Sequence, residues 1–169
     1  MNFKRSVEVL TERLSEIARR AKQYKALLYV DAEDSANNPI IYEVFKRTFS
    51  SQEFLDFPYP GIVLQAYAKE ARTTLRDLIE FAKKRGSPIA VRLVKGAYWD
   101  QETIAAKQQD WPSPLFENKE SSDYNYEDLS RFLIDNASHC LPAFGSSWRV
   151  CATFARLEGG RASCFAGRH

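Results

Sequence analysis

The sequence predicts an α/β fold in which helices cover a parallel sheet. Short apolar runs alternate with longer amphipathic segments along most of the chain. The runs are apolar at nearly every position, which is typical of strands buried on both faces. Polar residues follow the runs near residues 31, 67, 95 and 145. Regular alternation of this kind favours a parallel sheet whose strands are connected through helices.

The first helix is predicted over residues 2–24 because apolar residues recur there at three- and four-residue steps. This stripe consists of Val7, Leu10, Leu14, Ile17 and Ala21. The apolar run 26–30 is too short for a helix and is interpreted as a strand. The later elements follow the same reasoning, with helices over 39–48, 68–84 and 126–136 and strands over 61–67, 89–94 and 141–144.

The placement of polar residues distinguishes two α/β architectures. In a (β/α)₈ barrel of the TIM type, functional side chains lie at the carboxyl ends of the strands, as they do here. A doubly wound sheet usually carries a glycine-rich phosphate turn after its first strand, and this sequence has none. A full barrel takes about 250 residues, whereas this chain has 169. We therefore expect about four βα units, an incomplete barrel.

Composition excludes several function classes. The formal net charge is +2, from 24 basic and 22 acidic residues, without the clustered basic excess of a nucleic-acid-binding protein. No run of about 18 apolar residues is present, so no membrane span is expected. The amino terminus lacks the apolar segment of a secretory signal, which predicts a cytoplasmic protein. Cys140, Cys151 and Cys164 fit neither a zinc signature nor a disulfide framework, so no metal is expected.

The third predicted strand leads into the richest group of candidate functional residues. Arg92 lies inside an apolar run, where a cation must either pair with a carboxylate such as Asp31 or face a ligand. The small residues after Lys95 allow a ligand to approach the backbone closely. Tyr98 and Trp99 then offer flat faces with polar tips, either to a ligand or as a lid on the core.

Two further polar residues lie at the ends of the first two strands. Asp31 either binds a substrate amine or caps the next helix. Gln65 is flanked by apolar residues, so its amide needs partners. These partners could be the edge of a flavin ring or another polar group inside the barrel. His139 has no neighbouring nucleophile or carboxylate, so a Ser-His-Asp triad is not supported.

Several segments, in the same order and spacing, resemble the proline dehydrogenase family, including the proline-oxidising domain of bifunctional proline utilisation A enzymes. The most specific match is the decapeptide VRLVKGAYWD at 91–100. Further matches cover 29–33, 61–67, 114–116, 119, 123–126 and 142–146. The decapeptide disfavours a different barrel enzyme.

The resemblance implies a distorted (β/α)₈ barrel that binds FAD non-covalently. It implies oxidation of L-proline to Δ1-pyrroline-5-carboxylate by hydride transfer to flavin N5, in the catabolism of proline to glutamate. Quinone or another electron acceptor would be the second partner, and membrane association would be at most peripheral. By position, the cofactor-binding residues are Gln65, Arg92, Val94, Lys95, Gly96 and Trp99, with Arg92 close to N5.

The resemblance also implies a proline pocket. Asp31 is similar to the acid that organises the site, and Ala97 and Tyr98 are similar to residues that contact proline. Asp31, Arg92 and Tyr98 are therefore the expected catalytic residues. The cofactor would carry out the redox step, while the protein supplies orientation and charge.

Three features of the family have no counterpart in this sequence. They are an early strand with a lysine over the flavin, a His-Asn pair that helps to hold FAD, and a final helix whose paired arginines bind the proline carboxylate. We interpret 1–146 as a partial proline dehydrogenase barrel and 147–169 as a non-homologous tail, either disordered or produced by a reading-frame shift. A catalytically inactive fragment is the alternative to an active enzyme, and we expect little or no activity from the isolated chain.

Overall fold

The sheet is parallel and its strands follow one another in chain order. The computed structural model describes residues 2–32, 35–96, 103–104, 108, 110–145 and 163–164. The strands are β1 (Tyr29–Val30), β2 (Gly61–Gln65), β3 (Ile89–Val94), β4 (Cys140–Gly145) and β5 (Ser163–Cys164). They form a five-stranded sheet in the order β1-β2-β3-β4-β5. The short β5 lies within the predicted tail and pairs with β4 at Ala143 and Phe144.

Helices connect the strands. They are α1 (Phe3–Gln23), α2 (Asn38–Ser50), α3 (Ala71–Arg85) and α4 (Lys119–Asp135), with a 3₁₀ helix at Gln52–Phe54. The order α1-β1-α2-β2-α3-β3-α4-β4 confirms the predicted alternation. No helix in the described part of the chain is both long and apolar enough to cross a bilayer.

Local chemistry sets the end of one helix and the start of another. Helix α3 ends at Gly86, whose φ of 75° is left-handed and whose N–H is donated to Ala82 O and Lys83 O. Helix α4 begins after Asn118, whose side chain accepts a hydrogen bond from Ser121 N at 2.8 Å. This cap starts α4 well before residue 126, so the predicted start of that helix was too late.

The two faces of the sheet differ in chemistry. Alternate strand residues pack against the helices and form the main core, among them Ile62, Leu64, Val91, Leu93 and Phe144. The opposite face, here called the inner face, carries Gly61, Val63, Gln65, Ala90, Arg92, Val94, Leu141, Ala143 and Gly145. Because side chains alternate along a strand, every second residue of β2, β3 and β4 contributes to this face.

The predicted stripe on α1 is only partly buried. Val7 and Ala21 are buried, and Val7 packs with Ile40 and Val44 of α2. Leu10 and Ile17 are exposed instead, Ile17 by 54%. The stripe is therefore buried only on the side of α1 that carries Val7 and packs against α2.

A buried arginine ties the segment before β2 to the end of α3. Arg85 donates from Nε to Phe49 O at 2.9 Å and from Nη2 to Phe54 O at 2.6 Å and Phe57 O at 2.8 Å. Burial lowers the pKa of Arg85, and the charge of Asp56 partly offsets this effect. The guanidinium thus binds one carbonyl in the last turn of α2 and two carbonyls at and just after the 3₁₀ helix.

Candidate functional site

The carboxyl ends of β2, β3 and β4 align in register at one edge of the sheet. Val63 pairs with Arg92, which pairs with Ala143. Two residues further along, Gln65 pairs with Val94, which pairs with Gly145. The structure therefore brings the predicted residues Gln65, Arg92 and Val94 together on the inner face.

Arg92 is an exposed cation on the inner face. Val91 and Leu93, its neighbours in β3, are both fully buried on the helix side, whereas Arg92 is exposed. Among the residues that the structure describes, no carboxylate lies within ion-pair distance of Arg92. The pairing with Asp31 considered from the sequence is therefore not formed.

Glycine makes room for the Arg92 side chain. A Cβ placed on Gly145 would lie 3.4 Å from Arg92 Nε and 2.9 Å from Val94 Cγ1. Since Gly145 lies beyond Ala143, the register partner of Arg92, the guanidinium leans toward the carboxyl edge. At the other end of the face, burial raises the pKa of Tyr29, and the Arg92 charge opposes part of that rise.

Asp31 follows β1 directly and is exposed. It does not cap the next helix, because the N-cap of α2 is Asn37. The helix-capping role considered from the sequence is therefore wrong. Val30 pairs with Ile62, so continuing the register places Asp31 level with Val63 and Arg92 at the same edge of the sheet.

Gln65 is the last residue of β2 and only 4% exposed. The backbone beyond it is held by neighbouring segments. Ala66 N donates to Val94 O at 2.8 Å, and Tyr67 N donates to Lys95 O at 2.9 Å. These two bonds carry the pairing of β2 and β3 past the ends of the strands, so the carboxyl edge is continuous.

The Lys95 ammonium is bound by a carboxylate of α4. Lys95 Nζ lies 2.5 Å from Asp123 Oδ1, and the second oxygen of Asp123 accepts a short hydrogen bond from Lys119. Hydrogen bonds from Lys119 and then Lys95 lower the pKa of Asp123. The Lys95 side chain thus forms an ion pair with α4, a contact that the sequence did not predict.

Asn125 makes the matching contact to β2. Its Nδ2 donates to Ala66 O at 2.7 Å. Asp123 and Asn125 lie in the segment that matches the family, but the sequence assigned no role to either. The Asn118 cap signal and the Lys119–Asp123 spacing could have placed both residues on the first turns of a helix.

Gly96 lets the end of β3 approach the aromatic ring of Tyr67. Its φ is 119°, a conformation that other residues rarely adopt. A Cβ there would lie 2.5 Å from Cγ of Tyr67, whose side chain is 3% exposed. Glycine is therefore required at 96 both for its backbone angle and for this close contact.

The remaining predicted site residues, Ala97, Tyr98 and Trp99, lie outside the residues that the structure describes. Cys140 and His139 lie at the opposite, amino end of β4. Burial raises the pKa of the Cys140 thiol to about 12, which makes it a poor nucleophile at neutral pH.

Comparisons with known proteins show the family to which the chain belongs. The family model for proline dehydrogenase matches residues 2–156, which extends beyond the predicted boundary at 146. Proline dehydrogenase 1, mitochondrial, of Arabidopsis thaliana is 28% identical over 158 residues, 93% of this chain and 31% of that protein. Hydroxyproline dehydrogenase of Bos taurus is 29% identical over 139 residues, 80% of this chain and 30% of that protein.

A solved structure matches in three dimensions. The crystal structure of proline utilization A from Bdellovibrio bacteriovorus, inactivated by N-propargylglycine, has a TM-score of 0.88 and 37% identity. The match covers 92% of this chain and 17% of that chain. The predicted fold class, part of a (β/α)₈ barrel, is confirmed by this likeness. This chain belongs to the proline dehydrogenase family.

Proposed function

We propose that this chain forms the flavin-facing wall of an FAD-dependent proline dehydrogenase that oxidises L-proline to Δ1-pyrroline-5-carboxylate. The observation that carries the proposal is the exposed Arg92 on the inner face, at the carboxyl edge where a barrel binds its ligands. Membership of the proline dehydrogenase family supports the reaction. Quinone or another electron acceptor would complete the cycle, in the cytoplasm or at the membrane surface.

The donor set fits a flavin. An isoalloxazine ring is flat, with apolar faces and a polar edge of alternating donors and acceptors. The inner face offers the small or apolar residues Val63, Ala143 and Gly145 on either side of Arg92. On this face Arg92 is exposed and Gly145 is half-buried, whereas Val63, Ala143 and Gln65 are 2%, 4% and 4% exposed. A flat ring would therefore meet the guanidinium N–H groups at its edge, with the Gln65 amide as a more deeply buried partner.

Each residue has a proposed role. Arg92 would hold the flavin near N5 and stabilise negative charge on the reduced ring, while Val94, Lys95 and Gly96 would line the ring. Bound flavin would accept the hydride that proline loses, while the amine proton leaves to solvent. Asp31 would orient the substrate amine. Ala97 and Tyr98 would line the proline pocket and Trp99 would pack beside the cofactor.

The alternative is a chain that binds flavin without turning over proline. Among β1 to β4, Arg92 is the only arginine, and the proposal assigns it to the flavin. The proline carboxylate would then lack a bidentate arginine partner from these strands, and such a partner is not easily replaced. We therefore expect little or no turnover by the isolated chain.

Titration with FAD tests the cofactor proposal. The purified chain should bind FAD, seen as quenching of flavin fluorescence. Arg92→Met should weaken binding about tenfold, from ~1.5 kcal/mol for a charge-assisted hydrogen bond. Arg131→Met is the matched control, because Arg131 is exposed and, among the described residues, forms an ion pair with Glu127 on the same helix, at 3.7 Å. Equal affinities for the two variants would refute the assignment of Arg92.

Turnover with a dye acceptor separates the active enzyme from the inactive fragment. L-proline and 4-hydroxy-L-proline should be compared, since relatives with each activity match this chain. Dye reduction at a rate typical of an enzyme, about 1 per second or faster, would overturn the expected inactivity. A preference for hydroxyproline would instead change the proposed substrate.

A further inference from the structure

We propose that Asp123 is a positioning residue that fixes the carboxyl edge of the sheet by holding the Lys95 ammonium. Lys95 then serves the site through its backbone, while its charge is committed to α4. The consequence for the cofactor rests on the proposed function, whereas the positioning itself does not.

The contacts of α4 support this role. Asp123 binds the end of β3 through Lys95 at 2.5 Å, and Asn125 binds the backbone just beyond β2 at Ala66 O at 2.7 Å. One segment of one helix therefore reaches both strands. Helix α4 is itself packed against β3 and β4 through Leu129 and Leu133, which are fully buried, so it offers a rigid anchor.

The edge that these contacts hold is already close-packed. Ala66 N and Tyr67 N donate to Val94 O and Lys95 O, and Gly96 lies directly against the Tyr67 ring. A displacement of Lys95 would therefore disturb the backbone on both strands. Gln65 directly precedes Ala66, and Val94 directly precedes Lys95. The positions of Gln65 and Val94 on the inner face therefore depend on the two backbone hydrogen bonds that Ala66 and Tyr67 donate.

The charge arrangement distinguishes Lys95 from Lys119. Both ammonium groups contact Asp123, but Lys119 is four residues away on the same helix with its side chain 79% exposed. Lys95 lies on a different element with its side chain 37% exposed. Loss of the Lys119 contact leaves the link between α4 and β3 intact, whereas loss of Asp123 breaks it.

Amide hydrogen exchange tests the positioning without any flavin. In Asp123→Asn, exchange at Ala66 and Tyr67 should accelerate roughly two- to fivefold, the range expected for one partly exposed ion pair. Ile62 and Leu64, in the middle of β2, should not change. Lys119→Met and Glu127→Gln should leave Ala66 and Tyr67 unchanged, because neither breaks the Lys95–Asp123 pair.

FAD binding then separates positioning from direct contact. If Asp123 acts through Lys95, Asp123→Asn and Lys95→Met each weaken FAD binding two- to fivefold, and the double variant is no worse than either. If Lys95 itself contacted the anionic cofactor, Asp123→Asn would free its charge and tighten binding while Lys95→Met weakened it.

The outcomes are distinct. Unchanged exchange at Ala66 and Tyr67 in Asp123→Asn overturns the inference, as does tighter FAD binding by that variant. Accelerated exchange in a chain that binds no FAD supports the positioning role and refutes the proposed cofactor instead.

Discussion

Replacing Gly96 by alanine should strongly destabilise the carboxyl edge of the sheet. The backbone at Gly96 has φ 119°, and holding another residue at such an angle costs roughly 1–3 kcal/mol. The added Cβ would lie 2.5 Å from Tyr67 Cγ, far inside van der Waals contact. The Tyr67 ring is buried, so relieving the overlap adds roughly 1–3 kcal/mol. The sum is roughly 2–6 kcal/mol.

Gly86→Ala provides the matched control. Gly86 also has a left-handed φ, 75°, but a Cβ there would meet nothing within 4 Å. Its replacement should cost only the backbone part, about 1 kcal/mol. Gly96→Ala should therefore cost more than Gly86→Ala, and a Tyr67→Ala background separates the collision with the ring from the backbone cost.

Urea denaturation followed by far-UV circular dichroism measures both free energies of unfolding. In a Tyr67→Ala background, the additional cost of Gly96→Ala should fall to the backbone part alone. Equal losses for Gly96→Ala and Gly86→Ala, or no relief from Tyr67→Ala, would show that the ring does not lie against Gly96.

Three further predictions concern buried or paired groups. Arg85→Met should lower the free energy of unfolding by about 3–5 kcal/mol in urea, because the backbone carbonyls of Phe49, Phe54 and Phe57, among others, lose charge-assisted bonds. A loss no larger than that of the exposed Arg131→Met would contradict this. Cys140 should resist iodoacetamide at pH 8 in the folded chain, since its pKa is about 12, and react only after unfolding. Asp123 should titrate below 3.8 by carboxyl NMR, and Lys119→Met should raise that midpoint. Because the folded pKa is lowered, the stabilisation from its ion pairs is present above about pH 4 and is lost as pH falls through the folded value.

The sequence predicted best the elements whose boundaries are marked locally. Strand β3 was predicted at its observed bounds, 89–94, because Pro88 and the polar Lys95 flank an apolar run. Strand β1 was predicted over 26–30 but covers only Tyr29–Val30. The length of β1 depends on how many of its residues pair with β2, and no local sequence pattern predicts this number.

The candidate site was predicted in part for the same reason. The positions of Gln65, Arg92 and Val94 follow from strand alternation, so their shared edge could be inferred. The partner of Lys95 could not, because Asp123 is distant in sequence and meets it only through the packing of α4. The sequence likewise could not predict whether Arg92 forms an ion pair, because this depends on where the neighbouring strands end and place their carboxylates.

The chain-ordered sheet has a consequence for how the protein folds. Each strand from β2 to β4 pairs with the strand before it, one βα unit of about 30 residues or more away. Each strand therefore pairs with a strand that has already emerged from the ribosome. Synthesis at about 5–20 residues per second gives each unit seconds to dock, whereas helices and loops form in microseconds or less. The sheet can thus grow strand by strand in chain order as the chain emerges, with each new strand templated by its predecessor.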